Sequence, residues 1–284
     1  MSGYPLERLG GQASSPTLLL APANGFPPRC YEPLLAPLAR DWRLLALPPR
    51  AMWPVSGPPP TAPGSWQSLA DDLLAGMAQH GLEGAVALGH SMGAVVLLLA
   101  ALREPQRFRA LSLLDPAILS EERLGLLRGL RDRGELDQMP LAQGALERKH
   151  RFASQEAAFT YWRPKPLFAD WSDSALWAYT RSMTRPARDG AGLELSWRRD
   201  WEAWYYSAVE LEPWSALARL EGQMPTLLLQ GADSETFPAD SFWRARALLP
   251  SATLASLPAC GHLFPLSHPD ETRSALTVWL ATLR

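Results

Sequence analysis

Residues 84–102 read GAVALGHSMGAVVLLLAAL, and this stretch decides the fold. A nearly continuous apolar run of this length is long enough on paper to cross a bilayer. Three glycines, Gly84, Gly89 and Gly93, and the polar pair His90–Ser91 interrupt it, so no membrane span is expected. The run divides better into a buried strand, a sharp turn and a buried helix. The turn is Gly89-His90-Ser91-Met92-Gly93. It is a G-x-S-x-G sequence with a strand before it and a helix after it, which is the context this nucleophile motif requires. Ser91 then sits at the apex in a strained conformation, and side chains at 89 and 93 would collide with neighbouring backbone. Its hydroxyl points into the crevice above the sheet. The helix N-terminus beneath offers N–H groups and positive potential to a developing oxyanion.

Similar apolar runs recur on both sides of this stretch, each followed by turn residues: Thr17–Ala23, Trp42–Leu47, Ala110–Leu114, Thr226–Gln230 and Ala252–Leu257. They are continuous rather than alternating, the pattern of strands covered on both faces and hence of a parallel sheet. Helical periodicity lies between them, at Tyr31–Ala39, Ser65–His80 (with Ser65 as cap), Ala239–Leu249 and His268–Leu283. The helix over Ser91–Leu102 is apolar nearly all round and should be the most buried. Strand–helix alternation of this kind predicts an α/β fold with a doubly wound, mostly parallel sheet.

Two segments break the alternation. Residues 48–63 hold seven prolines in sixteen positions and read as a stiff surface loop. Residues 118–222 show no strand runs but hold seven of the chain's twelve tryptophans, Trp162, Trp171, Trp177, Trp197, Trp201, Trp204 and Trp214. They read as a helical insertion. Placed after the C-terminal end of a strand, it would sit over the ligand-binding edge of the sheet. Most of the rings fill the subdomain and some line a pocket. Basic residues of the insertion, Arg148, Lys149, Arg151 and Arg198-Arg199, read as solvated helix faces, with an anionic substrate handle as the alternative.

Composition bounds the rest. The chain has 284 residues, 47% of them apolar, with 27 Lys+Arg against 29 Asp+Glu. That excludes a collagen-like, disordered or disulfide-dense chain, and the charge balance gives no electrostatic case for nucleic acid or an anionic membrane. Cys30 and Cys260 read as free thiols of a reducing compartment. The opening MSGYPLERLGG lacks a basic region followed by an apolar stretch, so no export signal is expected and the location reads as cytoplasmic. Neither H-E-x-x-H nor a Cys/His cluster occurs, and the glycine spacing fits no phosphate or dinucleotide loop, so neither metal nor cofactor is expected.

A serine nucleophile needs a base. His80 and His150 have no motif around them, His90 lies inside the turn, and His268 begins the last helix. His262 follows the last strand run in Ala259-Cys260-Gly261-His262, with Gly261 allowing a turn, and reaches the sheet edge where Ser91 lies.

GHSMG, the terminal CGHLFPLSHPDE segment and the insertion between strands resemble the α/β-hydrolase superfamily over nearly the whole chain. The resemblance implies an eight-stranded-type sheet, with a core at 1–117 and 223–284 and a helical lid at 118–222. Ala23-Asn24-Gly25-Phe26 stands where the family usually has His-Gly-x. By that match the backbone N–H groups of Phe26 and Met92 form the oxyanion hole, with Asn24 in place of the usual His. The family's Asp-x-Arg-Gly turn is missing, and Pro48-Pro49-Arg50 occupies its place.

The resemblance also bears on the acid that orients His262. The family commonly carries it as G-x-x-D after the strand that follows the lid. Here Gly231-Ala232-Asp233-Ser234-Glu235 puts Ser234 at that position, between two carboxylates. Some members carry the acid one strand earlier, where Asp115 stands before Pro116. Asp233 and Glu235 each require a one-residue shift that redirects a side chain, so Asp115 is preferred, with both as alternatives. The implied activity is hydrolysis of a carboxylic ester or thioester with a hydrophobic acyl or aromatic group, through an acyl-enzyme. Carbon–carbon hydrolysis by the same triad, or a hydrolase-like receptor for a small ligand, are the alternatives.

Overall fold

A computed structural model describes residues 3–61 and 64–283. The first two residues of the opening stretch, Ala62 and Pro63 at the end of the proline run, and Arg284 lie outside that description. In chain order the strands are β1 (Glu7–Gly10), β2 (Thr17–Ala21), β3 (Arg43–Ala46), β4 (Ala85–His90), β5 (Phe108–Leu114), β6 (Arg151–Phe152), β7 (Thr184–Pro186), β8 (Leu193–Leu195), β9 (Thr226–Gly231) and β10 (Thr253–Leu257). The helices are α1 (Glu32–Leu35), α2 (Gln67–Gln79), α3 (Met92–Arg103), α4 (Glu121–Asp132), α5 (Pro140–Glu147), α6 (Gln155–Trp162), α7 (Asp173–Met183), α8 (Arg199–Ser207), α9 (Pro213–Arg219), α10 (Ala239–Leu248), α11 (Phe264–Ser267) and α12 (Pro269–Ala281).

The main sheet runs β1-β3-β2-β4-β5-β9-β10. All its pairings are parallel except β1 with β3. Each of the six apolar runs became one of its strands. The continuous burial of β4 and β9 is what such runs provide when helices cover both faces. Among the described residues the sheet has seven strands, not eight, because only one strand precedes β2. That strand, β1, carries charged Glu7 and Arg8, is only partly buried and pairs on one side, so it left no apolar run. Residues 92–101 of α3 are all buried, as an all-apolar helix must be. Ser65 Oγ accepts the Gln67 N–H at 3.2 Å at the start of α2.

The stretch between β5 and β9 is not purely helical. It carries α4 to α9 and a small antiparallel sheet, β6-β8-β7. Those strands are two or three residues long, too short to print a periodicity on the sequence. Trp171, Trp197, Trp201 and Trp214 are buried, so the rings are mainly core. No helix among the described residues is long and apolar enough to cross a membrane.

Candidate active site

Strand β4 delivers the chain into the Ser91 turn under steric compulsion. Ser91 has φ 56° and ψ −120°, in the left-handed region that a side chain rarely occupies. A Cβ at Gly89 would lie 2.6 Å from Ala94 Cα, and one at Gly93 would lie 2.1 Å from the Ala21 carbonyl oxygen. The two glycines therefore let α3 fold tightly back on β4 and press against the end of β2. The strained residue is held on both sides: its N–H donates to Leu114 O at 3.0 Å, and its carbonyl accepts the Ala117 N–H at 3.2 Å.

His262 Nε2 lies 2.9 Å from Ser91 Oγ, and its Nδ1 lies 2.6 Å from Asp115 Oδ2. A carboxylate only accepts, so Nδ1 carries the proton and Nε2 is left bare to accept from the serine hydroxyl. Asp115 is fully buried, where an unsatisfied carboxylate would be costly. Its Oδ1 accepts the Gly231 N–H at 2.9 Å, and Oδ2 accepts the Ser234 hydroxyl at 2.5 Å as well as the imidazole. Asp115 itself has φ 40°, and its N–H is tied to Leu229 O at 2.7 Å. Ser234, standing where the family usually carries its acid, instead donates to the carboxylate one strand away. Asp233 and Glu235 are exposed, and among the described residues neither carboxylate hydrogen-bonds His262.

The loop that carries His262 lies on the end of β9. A Cβ at Gly231 would lie 2.5 Å from Cys260 O, so glycine there admits the loop. The left-handed residue in this loop is Ala259, at φ 53°, rather than the expected Gly261.

A hydrogen-bond chain ties three site loops together. The Ala23 N–H donates to Tyr31 Oη at 3.0 Å, Tyr31 Oη lies 2.7 Å from His90 Nδ1, and His90 Nε2 lies 3.0 Å from the His262 carbonyl. Since a carbonyl only accepts, Nε2 carries the His90 proton and Nδ1 accepts from Tyr31. Burial, then the neighbouring His262, push the His90 pKa well below the ordinary range and keep the ring neutral. Tyr31 left no motif in the sequence. His90 was visible only as a motif residue.

Met92 opens α3, so its N–H is one of the four the helix cannot satisfy itself. The Phe26 N–H is already engaged, closing a turn on Ala23 O at 3.2 Å. Asn24 Nδ2 donates to the Glu202 carbonyl at 3.0 Å, while its buried Oδ1 has no partner among the described residues.

Ser91, His262, Phe26 and Met92 open into a cavity of about 650 Å³. Its other wall comes from the β5–β9 segment, including Leu127, Met139, Tyr161, Trp162, Phe168 and Tyr206. Of the seven tryptophans of that segment only Trp162 lines it. Arg148 is not a solvated residue: its guanidinium binds both Glu202 carboxylate oxygens, at 2.8 and 2.6 Å, and Tyr179 Oη at 2.8 Å. Burial holds the Glu202 pKa up against that partner. Arg151 pairs with Asp189, Arg198 with Asp200, and Arg199 donates to the Leu146 and Arg148 carbonyls. Lys149 and Lys165 stand at the cavity wall beside Tyr161. Nothing in the sequence singled out Lys165. Cys30 and Cys260 are both buried and unpaired.

A family model described as "Alpha/beta hydrolase family" matches residues 18–275. No curated protein matches the chain in sequence. Solved structures resemble it along nearly its whole length. E-2-(acetamidomethylene)succinate hydrolase is 20% identical with a TM-score of 0.77, covering 97% of this chain and 94% of that one. The thioesterase domain from the curacin biosynthetic pathway is 17% identical with a TM-score of 0.68, covering 96% and 94%. A thermophilic esterase from Thermogutta terrifontis, solved with malate bound, is 20% identical with a TM-score of 0.67, covering 98% and 93%. At such identities the likeness is one of fold. The family match spans most of the chain, and the protein belongs to the alpha/beta hydrolase family.

Proposed function

We propose that this alpha/beta hydrolase cleaves a carboxylic ester or thioester with an apolar acyl or aromatic portion, through an acyl-enzyme on Ser91. The observation that carries the reading is the continuous relay from Ser91 Oγ through the His262 ring to the buried Asp115 carboxylate. His262 Nε2 takes the hydroxyl proton as Oγ bonds to the acyl carbon. Asp115 keeps the proton on Nδ1 and stabilises the imidazolium. The tetrahedral oxyanion is met by the Met92 N–H at the start of α3 and by the Phe26 N–H, which shares its proton with Ala23 O. As the carbonyl re-forms, the alcohol or thiol leaves with the proton from Nε2. Water then enters, gives a proton to Nε2 and bonds its oxygen to the acyl carbon; as the bond to Oγ breaks, Nε2 returns that proton to Ser91 and the acid leaves.

The segment 118–222 serves as a lid over this site, between core parts 1–117 and 223–284. Supporting this, its residues form one wall of the cavity and the Ser91–His262 edge forms the other. The cavity is within the range typical of small-molecule sites, and its wall is mainly apolar and aromatic.

A fluorophosphonate probe followed by peptide mass spectrometry, run beside 4-nitrophenyl ester turnover, tests the reading. One label per chain is expected on Ser91, with turnover and labelling both lost in Ser91→Ala. Turnover that survives in Ser91→Ala overturns it.

A further inference from the structure

We propose that the substrate carries an anionic oxygen group at the end remote from the scissile carbonyl, held at the cavity mouth between Lys149 and Lys165. The inference rests on the hydrolytic reading above and names the substrate class of the same site.

The cavity wall is unbalanced in charge. Four cationic side chains line it, Arg123, Arg148, Lys149 and Lys165, against one carboxylate, Glu202. Glu202 is consumed by Arg148 through two hydrogen bonds from one nitrogen. Arg123 donates to the Glu235 carbonyl, and among the described residues no carboxylate oxygen lies within 4.0 Å of its guanidinium. Lys149 and Lys165 are left with no carboxylate oxygen within 4.0 Å of either ammonium among the described residues.

The two lysines are nevertheless held. Lys149 Nζ lies 5.1 Å from the Phe152 ring centroid and 5.0 Å from that of Tyr161. Lys165 Nζ lies 4.1 Å from the Tyr161 centroid and 2.9 Å from its hydroxyl. Aromatic faces orient an ammonium without cancelling its charge. Two like charges gathered around one ring repel each other, and an anion between them relieves that repulsion. They arrive from separate places, Lys149 two residues after α5 and Lys165 three after α6, and Tyr161 is the common post.

The position within the cavity matters too. Lys149 is exposed and Lys165 half-buried, so they mark the solvent side, whereas Phe26 and Met92 on the Ser91 wall are buried. The rest of the lining is largely apolar, including Leu127, Met139 and Trp162. A substrate that fits has its acyl carbonyl at Ser91, a hydrocarbon middle, and a carboxylate or phosphate at the mouth. An exposed charge contact is weak singly, so two lysines are expected to give about tenfold in selectivity.

The test compares 4-nitrophenyl half-esters of succinate, glutarate, adipate and suberate with their methyl-capped neutral counterparts. At least one half-ester is expected to exceed its capped partner in kcat/KM by about tenfold at low salt, and the excess should shrink in 0.5 M NaCl, about the ionic strength at which exposed charges are strongly screened. The ratio should fall toward one in Lys149→Gln/Lys165→Gln and survive in Lys149→Arg/Lys165→Arg. Taking a ratio within one variant cancels any loss of folded protein. Calorimetric titration of Ser91→Ala with the preferred half-ester should show the same lysine-dependent loss of affinity without any chemistry. No preference at any chain length, or a preference that survives the Gln variant, overturns the proposal. If capped esters are hydrolysed through Ser91 with no anionic preference, this inference alone fails. If Ser91→Ala still turns esters over, the parent reading fails, and the titration still decides the charge.

Discussion

The two walls of the cavity are built on different physical terms. On the core wall, the serine and the acid of the proposed relay sit where the backbone has little choice. Ser91 and Asp115 both have positive φ, each is tied by its main chain to a neighbouring strand or turn, and the Asp115 carboxylate is buried with three donors. On the opposite wall, side chains come from short helices and the turns after them. Lys149 and Lys165 are located by aromatic faces, not by strand pairing. On the proposed function this is a division of labour: the sheet edge fixes what happens to a bond, and the insertion chooses which molecule presents it.

The strongest way to break that contrast is at the core wall, where a substitution should affect every ester alike. Ser91→Ala is expected to lower turnover by about six orders of magnitude. Asp115→Asn should cost about four, since the amide favours the wrong imidazole tautomer. Asp233→Asn and Glu235→Gln should stay within about twofold, because exposed carboxylates that make no bond to the relay contribute little. Steady-state kinetics on a short and a long ester check all four, and an equal loss on both substrates is the signature sought.

Gly93→Ala probes the steric basis of the same wall. Its methyl would meet the Ala21 carbonyl at 2.1 Å, and a backbone oxygen has no rotamer to escape by. A loss of about 1–3 kcal/mol in unfolding free energy is expected, read from urea midpoints. The opposite wall should respond selectively. Trp162→Leu enlarges the cavity and should shift kcat/KM toward longer acyl chains by about tenfold, with the rate of Ser91 labelling little changed.

The smallest effect concerns His90. Its pKa is lowered on folding, so between that value and the ordinary one of about 6.5 the unfolded chain binds more protons. Stability is therefore intact above about pH 6.5 and falls below it, by about 1 kcal/mol over the first unit. His90→Gln should flatten that slope in urea titrations at pH 5.5 and 7.5.

Sequence reading reached the core wall further than the opposite one, for identifiable reasons. Buried parallel strands print continuous apolar runs, and the Ser91 turn prints its glycines. The choice among Asp115, Asp233 and Glu235 was open because all three lie at one sheet edge. What separates them in the structure is the Ser234 hydroxyl and the Gly231 N–H, both more than a hundred residues from Asp115 in sequence. β1 escaped because a half-buried edge strand with Glu7 and Arg8 shows no run. The cavity lining of the insertion escaped because single residues from many short elements form no local pattern, and Lys165 reads like any surface lysine. Arg148 read as solvated because its partner, Glu202, lies 54 positions away.

The seam between the two walls has a consequence for descent. Asn24 Nδ2 grips the carbonyl of residue 202, and Trp66 Nε1 that of Tyr205. Main-chain oxygens survive any codon change at their own position. Since the proposed relay of Ser91, Asp115 and His262 lies outside 118–222, a lineage can rewrite that passage and still inherit the same relay. Relatives of this chain should therefore diverge fastest in diet and slowest in chemistry.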